Sequence, residues 1–288
     1  MAHTKYYDNY SNNVIYFDKE YPTSWIPLKF SENMIEKLKD KGFCILNSDE
    51  LRDWILKVIN EEKAMETIII FSQDVMPDKV FDRDTPDALI RQYLDAGGRI
   101  LWFGDIPLWY RGESGKSEPI PAYKNLAPLN ILSLIPVITF TPTDLVNITK
   151  EGNYYGLSFR WSSHRPVIYV SEKTNDFVTL AKTRPLVAWT VPLTMEGRPV
   201  IKLIKKLSLW QRLYTRVKGV RISEFAIEFK ESEENRVYIY YEELPCAWIK
   251  KFGRGMFIRL WDFPLRKELF KYYENKLIND LLTIINRI

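Results

Sequence analysis

The sequence predicts an α/β protein with a mainly parallel central sheet, and three stretches carry that expectation. Thr67–Phe71 is a run of β-branched and aromatic residues with no polar alternation, the pattern of a central parallel strand covered on both faces. Asp84–Gly98 reads as an amphipathic helix: Asp84 or Thr85 as N-cap, Pro86 in the first turn, Ala88, Leu89, Tyr93 and Leu94 on one stripe, and Gly97 as its left-handed stop. Arg99–Phe103 is a second apolar strand, ending at Gly104-Asp105. Strand, helix and strand in that order make a βαβ unit whose right-handed crossover sets the strands parallel. Open α/β sheets bind ligands outside the carboxyl ends of their strands. That rule directs attention to Ser72-Gln73-Asp74 and to Gly104-Asp105.

The remaining elements follow from periodicity and punctuation. Ser31 reads as the N-cap of a short helix with Met34, Ile35 and Leu38 on one face, and Gly42 ends it. Phe43–Leu46 reads as a buried strand. Asn47 or Ser48 then caps a helix in which Leu51, Trp54, Ile55, Val58 and Ile59 recur at helical spacing. The long stretch Pro107–Pro128 reads as a lid or binding loop. Leu129–Phe140 reads two ways, as a helix-to-strand passage or, with Pro136 inside it, as neither; Thr143–Thr149 reads as a short helix, and Pro166–Val170, Phe177–Ala181 and Leu186–Val191 as short strands. Basic and β-branched residues dominate Thr194–Glu243, which contains the strand Val237–Tyr241. It reads as a β-rich insertion, residues 194–243, within a single domain of residues 1–288. A Gly253-Arg254-Gly255 turn, the strand Met256–Trp261, and an amphipathic helix from Leu265 bearing Leu269, Tyr273, Leu277 and Leu281 complete the chain.

Composition narrows the class. Hydrophobic residues make up 46% and charged residues 27% of the chain, which is ordinary for a globular protein. The 14% aromatic content supplies ample core-forming area. Cys44 and Cys246 lie far apart with no Cys-x-x-Cys spacing, so neither a disulfide framework nor a zinc site is expected. Met1–Asp8 has no apolar core of a signal peptide, and no apolar run is long enough to span a bilayer. A cytoplasmic protein with no membrane partner is the expectation. The net charge is +4, and Lys202, Lys205, Lys206, Arg212, Arg216, Lys218 and Arg221 cluster in the basic segment 202–221. That segment reads as a solvated face, with contact to nucleic acid or an acidic partner as the alternative.

Two nucleotide-binding motifs are imitated or absent. Gly112-Glu113-Ser114-Gly115-Lys116-Ser117 ends like a phosphate-binding loop, but Tyr110 stands where the first glycine belongs and Pro119 blocks the required helix. No Gly-x-Gly-x-x-Gly follows the first strand, so no dinucleotide cofactor is expected. Asp78, Asp82, Asp84 and Asp87 make an acidic loop without the spacing of a calcium-binding loop.

The line from Gln92 through Gly97-Gly98-Arg99-Ile100-Leu101-Trp102-Phe103-Gly104-Asp105, with Phe252-Gly253-Arg254-Gly255-Met256-Phe257-Ile258, resembles the class I glutamine amidotransferase-like superfamily. The likeness is to its trehalose-utilisation-like and biotin-ligase-N-terminal-like branches. The resemblance covers about half of the chain and implies a three-layer, flavodoxin-like fold. Catalytic members carry a Cys on a strained elbow, paired with a His and a carboxylate. Here the comparable turn is Gly104-Asp105-Ile106-Pro107, with no thiol, and the two histidines are His3 and His164. Glutaminase activity is therefore not expected.

Two constellations remain as candidate sites. Asp74 and Asp105 follow strands that should be neighbours, where two carboxylates could bind a metal, orient a hydroxyl, divide acid and base roles, or simply cap their own turns. Trp109 and Tyr110 would wall that crevice beneath the Pro107–Pro128 loop. Trp161-Ser162-Ser163-His164-Arg165 could offer a stacking platform and an anion site. The favoured reading of this run is a loop anchored by a buried Trp, with Arg165 paired to an acid. The expected function is a non-catalytic domain, without cofactor, that binds a small ligand or a protein partner through Asp74, Gly104, Asp105, Trp109, Tyr110, Trp161 and Arg165. The alternative is a hydrolase using Asp105 with His164 or a metal. Docking of the C-terminal helix on a second copy is a further expectation, beside docking on its own sheet.

Overall fold

The computed structural model describes residues 12–122, 126–139, 145–169, 174–183, 188–190, 194–195, 198–199, 237–239, 243–262 and 267–288. The basic segment 202–221, most of the expected insertion 194–243, and His3 lie outside the described residues.

An eight-stranded mixed sheet organises them. Its strands in chain order are β1 (Asn13–Tyr16), β2 (Cys44–Leu46), β3 (Ile68–Phe71), β4 (Arg99–Trp102), β5 (Asn147–Ile148), β6 (Phe177–Thr183), β7 (Leu244–Phe252) and β8 (Gly255–Arg259). In space they run β2-β1-β3-β4-β8-β7-β6-β5. The pairings from β2 through β8 are parallel, and those from β8 to β5 antiparallel. The expected βαβ unit is thus in place, and Ile68–Phe71 is a central strand, buried at every position.

Alternation explains the two cores. Val14, Tyr16, Ile69, Phe71, Ile100, Trp102, Trp248 and Phe257 face one side, where they meet helices α2 (Ser48–Asn60) and α3 (Leu89–Asp95). Ile15, Ile68, Ile70, Leu101, Ile249 and Ile258 face the other, against helix α1 (Leu28–Lys39) and the C-terminal helix Lys267–Ile285. Adjacent side chains on a strand point to opposite faces, so a continuous apolar run is what a sheet with helices on both sides requires. Leu277, Leu281 and Ile284 of the C-terminal helix are buried in this second core, so the helix docks on its own sheet. Among the described residues no helix is long and apolar enough to cross a membrane.

Several local expectations change. Helix α1 starts after Pro27 with no side-chain cap. Ser31 is not its N-cap but a buried first-turn residue, whose hydroxyl donates to the Ser72 carbonyl at 2.6 Å and ties the helix to the end of β3. Helix α3 begins only at Leu89, because Asp84–Asp87 is spent on a turn. Asp82 reaches forward instead to accept the Leu89 N–H. Asn47 does cap α2, in a reciprocal capping box with Glu50. Strand β2 is an edge strand that exposes Ile45, where full burial was expected. Thr149 is the cap of the helix Lys150–Tyr155, while residues 147–148 are strand, which displaces the helix expected over Thr143–Thr149. The stretch after Pro107 carries the strands Tyr110–Gly112 and Ile120–Pro121, which form a three-stranded ribbon with Met76–Pro77. Because Ile120–Pro121 is a strand, the Gly112–Ser117 motif leads into no helix and is no phosphate loop.

The closest packing is where α3 turns into β4 beside β8. Gly97 adopts φ +103°, and the Gly97 and Gly98 N–H groups return to the Leu94 and Tyr93 carbonyls, which is the Schellman closure. A Cβ on Gly255 would stand 1.9 Å from the Leu94 carbonyl oxygen and 2.8 Å from that of Gly98. Gly255→Ala should therefore cost about 3 kcal/mol in urea unfolding, at the upper end for an overpacked site. Gly253→Asn, at φ +60° with open space around it, should change stability by less than about 1 kcal/mol. Equal effects at the two positions would contradict this packing.

Candidate functional site

The chain order places a topological switch beside β1. The crossover through α1 leads outward to β2, and the crossover through α2 returns on the opposite face to β3. Opposed crossovers leave a crevice at the carboxyl ends of the strands between them. Three acids stand along that edge, each on the third residue beyond its strand: Asp74 after β3, Asp105 after β4 and Asp262 after β8. All three are buried.

Asp74 is wholly occupied by the protein's own backbone. Its carboxylate accepts N–H groups from Ser24 (2.9 Å), Trp25 (2.8 Å), Ile26 (3.4 Å) and Asp105 (3.0 Å). The first three belong to the segment Asp18–Pro27, which crosses the strand ends like a strap. Gln73 fastens the same strap by donating to the Asp18 and Tyr21 carbonyls and accepting the Asp18 N–H. Asp74 therefore does not cap its own turn, as one reading of the sequence had it: its donors come from the strap and from the turn after β4. Burial, with the neighbouring Asp105 charge second, pushes its carboxyl up to about 6 against the pull of the N–H donors. Gly104 lets this knot close: at φ +90°, a Cβ there would stand 2.7 Å from an Asp74 oxygen.

Beside buried Asp105, Arg165 carries the edge out to solvent. Asp105 accepts the Ser24 hydroxyl at 2.7 Å and the Ile106 N–H at 2.8 Å. The Arg165 Nε lies 3.6 Å from its Oδ1, with the Arg165 side chain 20% exposed. The guanidinium carbon sits 4.4 Å from the centre of the Trp25 ring, whose other neighbour is the edge-on His164 ring at 6.1 Å. Trp25, Tyr110, His164 and Arg165 are each half-buried and form a rim above Asp105. Burial, then the Asp105 charge, raises the Tyr110 hydroxyl above its ordinary range.

Beneath the rim a buried lattice holds these groups in place. Arg259 is fully buried on β8 and donates to the carbonyls of Arg165 and Gly104. Asp262 accepts from the Trp161 indole, the Ser163 hydroxyl and the Arg165 N–H. Burial raises the Asp262 carboxyl and lowers Arg259, and their opposite charges offset part of each shift.

The structure brings Asp74, Gly104, Asp105, Tyr110 and Arg165 to one edge. Trp109 is buried near it, and Trp161 is an interior residue stacked on Phe159 rather than an open platform. Cys246 is fully buried, and burial pushes its thiol up, the opposite of an activated nucleophile. Cys44 lies on the edge strand β2. Among the described residues, no three His, Cys, Asp or Glu side chains converge on a common metal position. Sequence reasoning missed Ser24, Trp25, Arg259 and Asp262. A lone arginine inside the apolar strand Met256–Trp261, followed at once by an aspartate, was the signal for the last two. Ser24 and Trp25 offered none, because their partners lie about fifty or more residues away.

The family described as MJECL34 family matches residues 11–196. The chain belongs to this family. A protein of Methanocaldococcus jannaschii, the uncharacterized protein MJECL34, is 30% identical over 120 residues. The aligned stretch covers 40% of this chain and 40% of that relative. The MJECL34 match contains the strap, Asp74, Asp105, Tyr110 and Arg165, while Arg259 and Asp262 lie beyond it.

Asp74 has a definite pH signature. Its folded pKa of about 6 exceeds the ordinary 3.8, so its linkage contribution is fully present below about pH 4 and is lost as pH rises through about 6. Across that window the wild type should lose on the order of 3 kcal/mol relative to Asp74→Asn, which cannot titrate. The variant also leaves two N–H groups without an acceptor and should be less stable at pH 4 by several kcal/mol. Parallel stability–pH curves for the two proteins would contradict the assignment.

Proposed function

We propose that this MJECL34-family chain is a non-catalytic, flavodoxin-like domain of the glutamine amidotransferase-like kind that binds a small ligand at the carboxyl edge of its sheet. One observation carries the reading: the Asp105–Arg165 pair lies at the carboxyl edge of the sheet, on the far side of β3 from the topological switch, rimmed by half-buried Trp25, Tyr110 and His164. Aromatic faces beside a few convergent polar groups are the usual lining of a small-molecule site. The order β2-β1-β3-β4 supports the flavodoxin-like assignment, since that arrangement places its ligand at the β1/β3 switch, next along the same edge.

The absence of catalysis is argued from the thiols and from Asp105. Cys246 is buried and protonated, and Cys44 is on a strand rather than an elbow turn. The Asp105 carboxylate is engaged by Ser24, Ile106 and Arg165, which suits a fixed charge better than a base that must exchange protons. A cytoplasmic setting with free thiols fits this reading.

Thermal unfolding against glutamine, sugars, sugar phosphates and nucleotides tests the proposal. A ligand at about 100 times its dissociation constant adds roughly 2.7 kcal/mol to the folded state. A rise in Tm that disappears in Trp25→Ala and Tyr110→Ala is the expected result. A rise that survives both substitutions, or none with the whole panel, would overturn it.

A further inference from the structure

The rim has one strong donor with unused capacity. A guanidinium carries five N–H donors. In Arg165, Nη1 donates to the His164 carbonyl at 3.1 Å, and Nε stands 3.6 Å from Asp105, beyond hydrogen-bonding distance. Nη2 has no hydrogen-bond partner among the described residues. One face of the group is held on Trp25, and the backbone on either side is fixed by Asp262 and by buried Arg259. The fork is therefore preorganised, still a fifth exposed, and not saturated.

Asp105, by contrast, is satisfied without it. The Ser24 hydroxyl and the Ile106 N–H each give one of its two oxygens a hydrogen bond, and the Arg165 pair is loose. A carboxylate so placed neutralises the guanidinium while leaving its hydrogen-bonding edge open.

We propose that Arg165 is the oxyanion-binding group of this site, and that Asp105 is an internal counter-ion with which an incoming carboxylate or phosphate group competes. The ligand class is a small molecule bearing such a group, bound by the Arg165 fork beside Tyr110. A planar two-oxygen anion matches the guanidinium fork in a bidentate pair. The inference rests on the ligand-binding reading above and names its ligand chemistry.

The sign of one substitution separates this from a site that reads hydroxyl or amine donors through Asp105. Inorganic phosphate, succinate and a neutral sugar, glucose, are titrated by thermal shift at constant ionic strength against the wild type, Asp105→Asn and Arg165→Gln. Asp105→Asn can still accept the Ile106 N–H and can donate to Ser24, so the turn is retained. Removing the competing charge should tighten binding of phosphate or succinate at least about tenfold, equivalent to about 1.4 kcal/mol, and Arg165→Gln should abolish it. The stronger of the two anions tells a phosphate-bearing from a carboxylate-bearing ligand. Weaker anion binding in Asp105→Asn, or binding unchanged in Arg165→Gln, would overturn the proposal. Glucose binding lost in Asp105→Asn would overturn the oxyanion class while leaving the site standing. No shift with any probe in any of the three proteins would overturn this proposal, whereas the ligand-binding reading falls only with its own wider panel.

Discussion

A single carboxylate, that of Asp74, organises the carboxyl edge of the sheet. It sits at the end of the most central parallel strand and gathers N–H groups from the strap and from the turn after β4. A buried carboxylate is costly unless donors surround it, and a buried N–H is costly unless an acceptor reaches it. Each side of this knot satisfies the other, so strap, β3 and β4 are positioned together. The close approach requires Gly104, since any side chain there would collide with the acid.

The other two edge acids extend the same arrangement outward. Asp262 holds the Trp161–Arg165 loop, and Arg259 bridges that loop to the turn at Gly104. The result grades from saturated to open. Asp74 and Asp262 are fully engaged by protein donors, Asp105 is buried beneath the rim, and the Arg165 side chain is a fifth exposed. Charge that is buried and fully paired supports structure, whereas preorganised charge with spare donors at an accessible edge is suited to a ligand.

Much of the architecture was legible in local pattern. The apolar run at Ile68–Phe71, the glycine stop at Gly97-Gly98 and the strand Arg99–Trp102 each announce themselves through periodicity and turn chemistry, and they form the centre of the sheet. Boundaries failed where tertiary contacts override local preference. Ser31 looks like a cap but is drawn inward to the Ser72 carbonyl. Asp84 looks like a cap, yet Asp82 serves the α3 N-terminus from farther back. For the site, strand-end position sufficed to find Asp74 and Asp105, and the Trp161–Arg165 run pointed to Arg165. It could not reveal the strap, because Ser24 and Trp25 acquire meaning only when the fold brings them to acids about fifty to eighty residues away. Trp109, expected as a wall of the crevice, is buried, and Trp161 is the buried anchor of its loop, donating to Asp262, rather than a stacking platform.

Amide hydrogen exchange of the strap tests the central claim most directly. If Asp74 fixes Ser24, Trp25 and Ile26 as an integral part of the sheet edge, their N–H groups exchange with the slow class that includes β3 and β4, although they lie in an irregular segment. Exchange at the rate of an exposed loop, with β3 and β4 still protected, would contradict the account, because the carboxylate would then not be what holds the edge together.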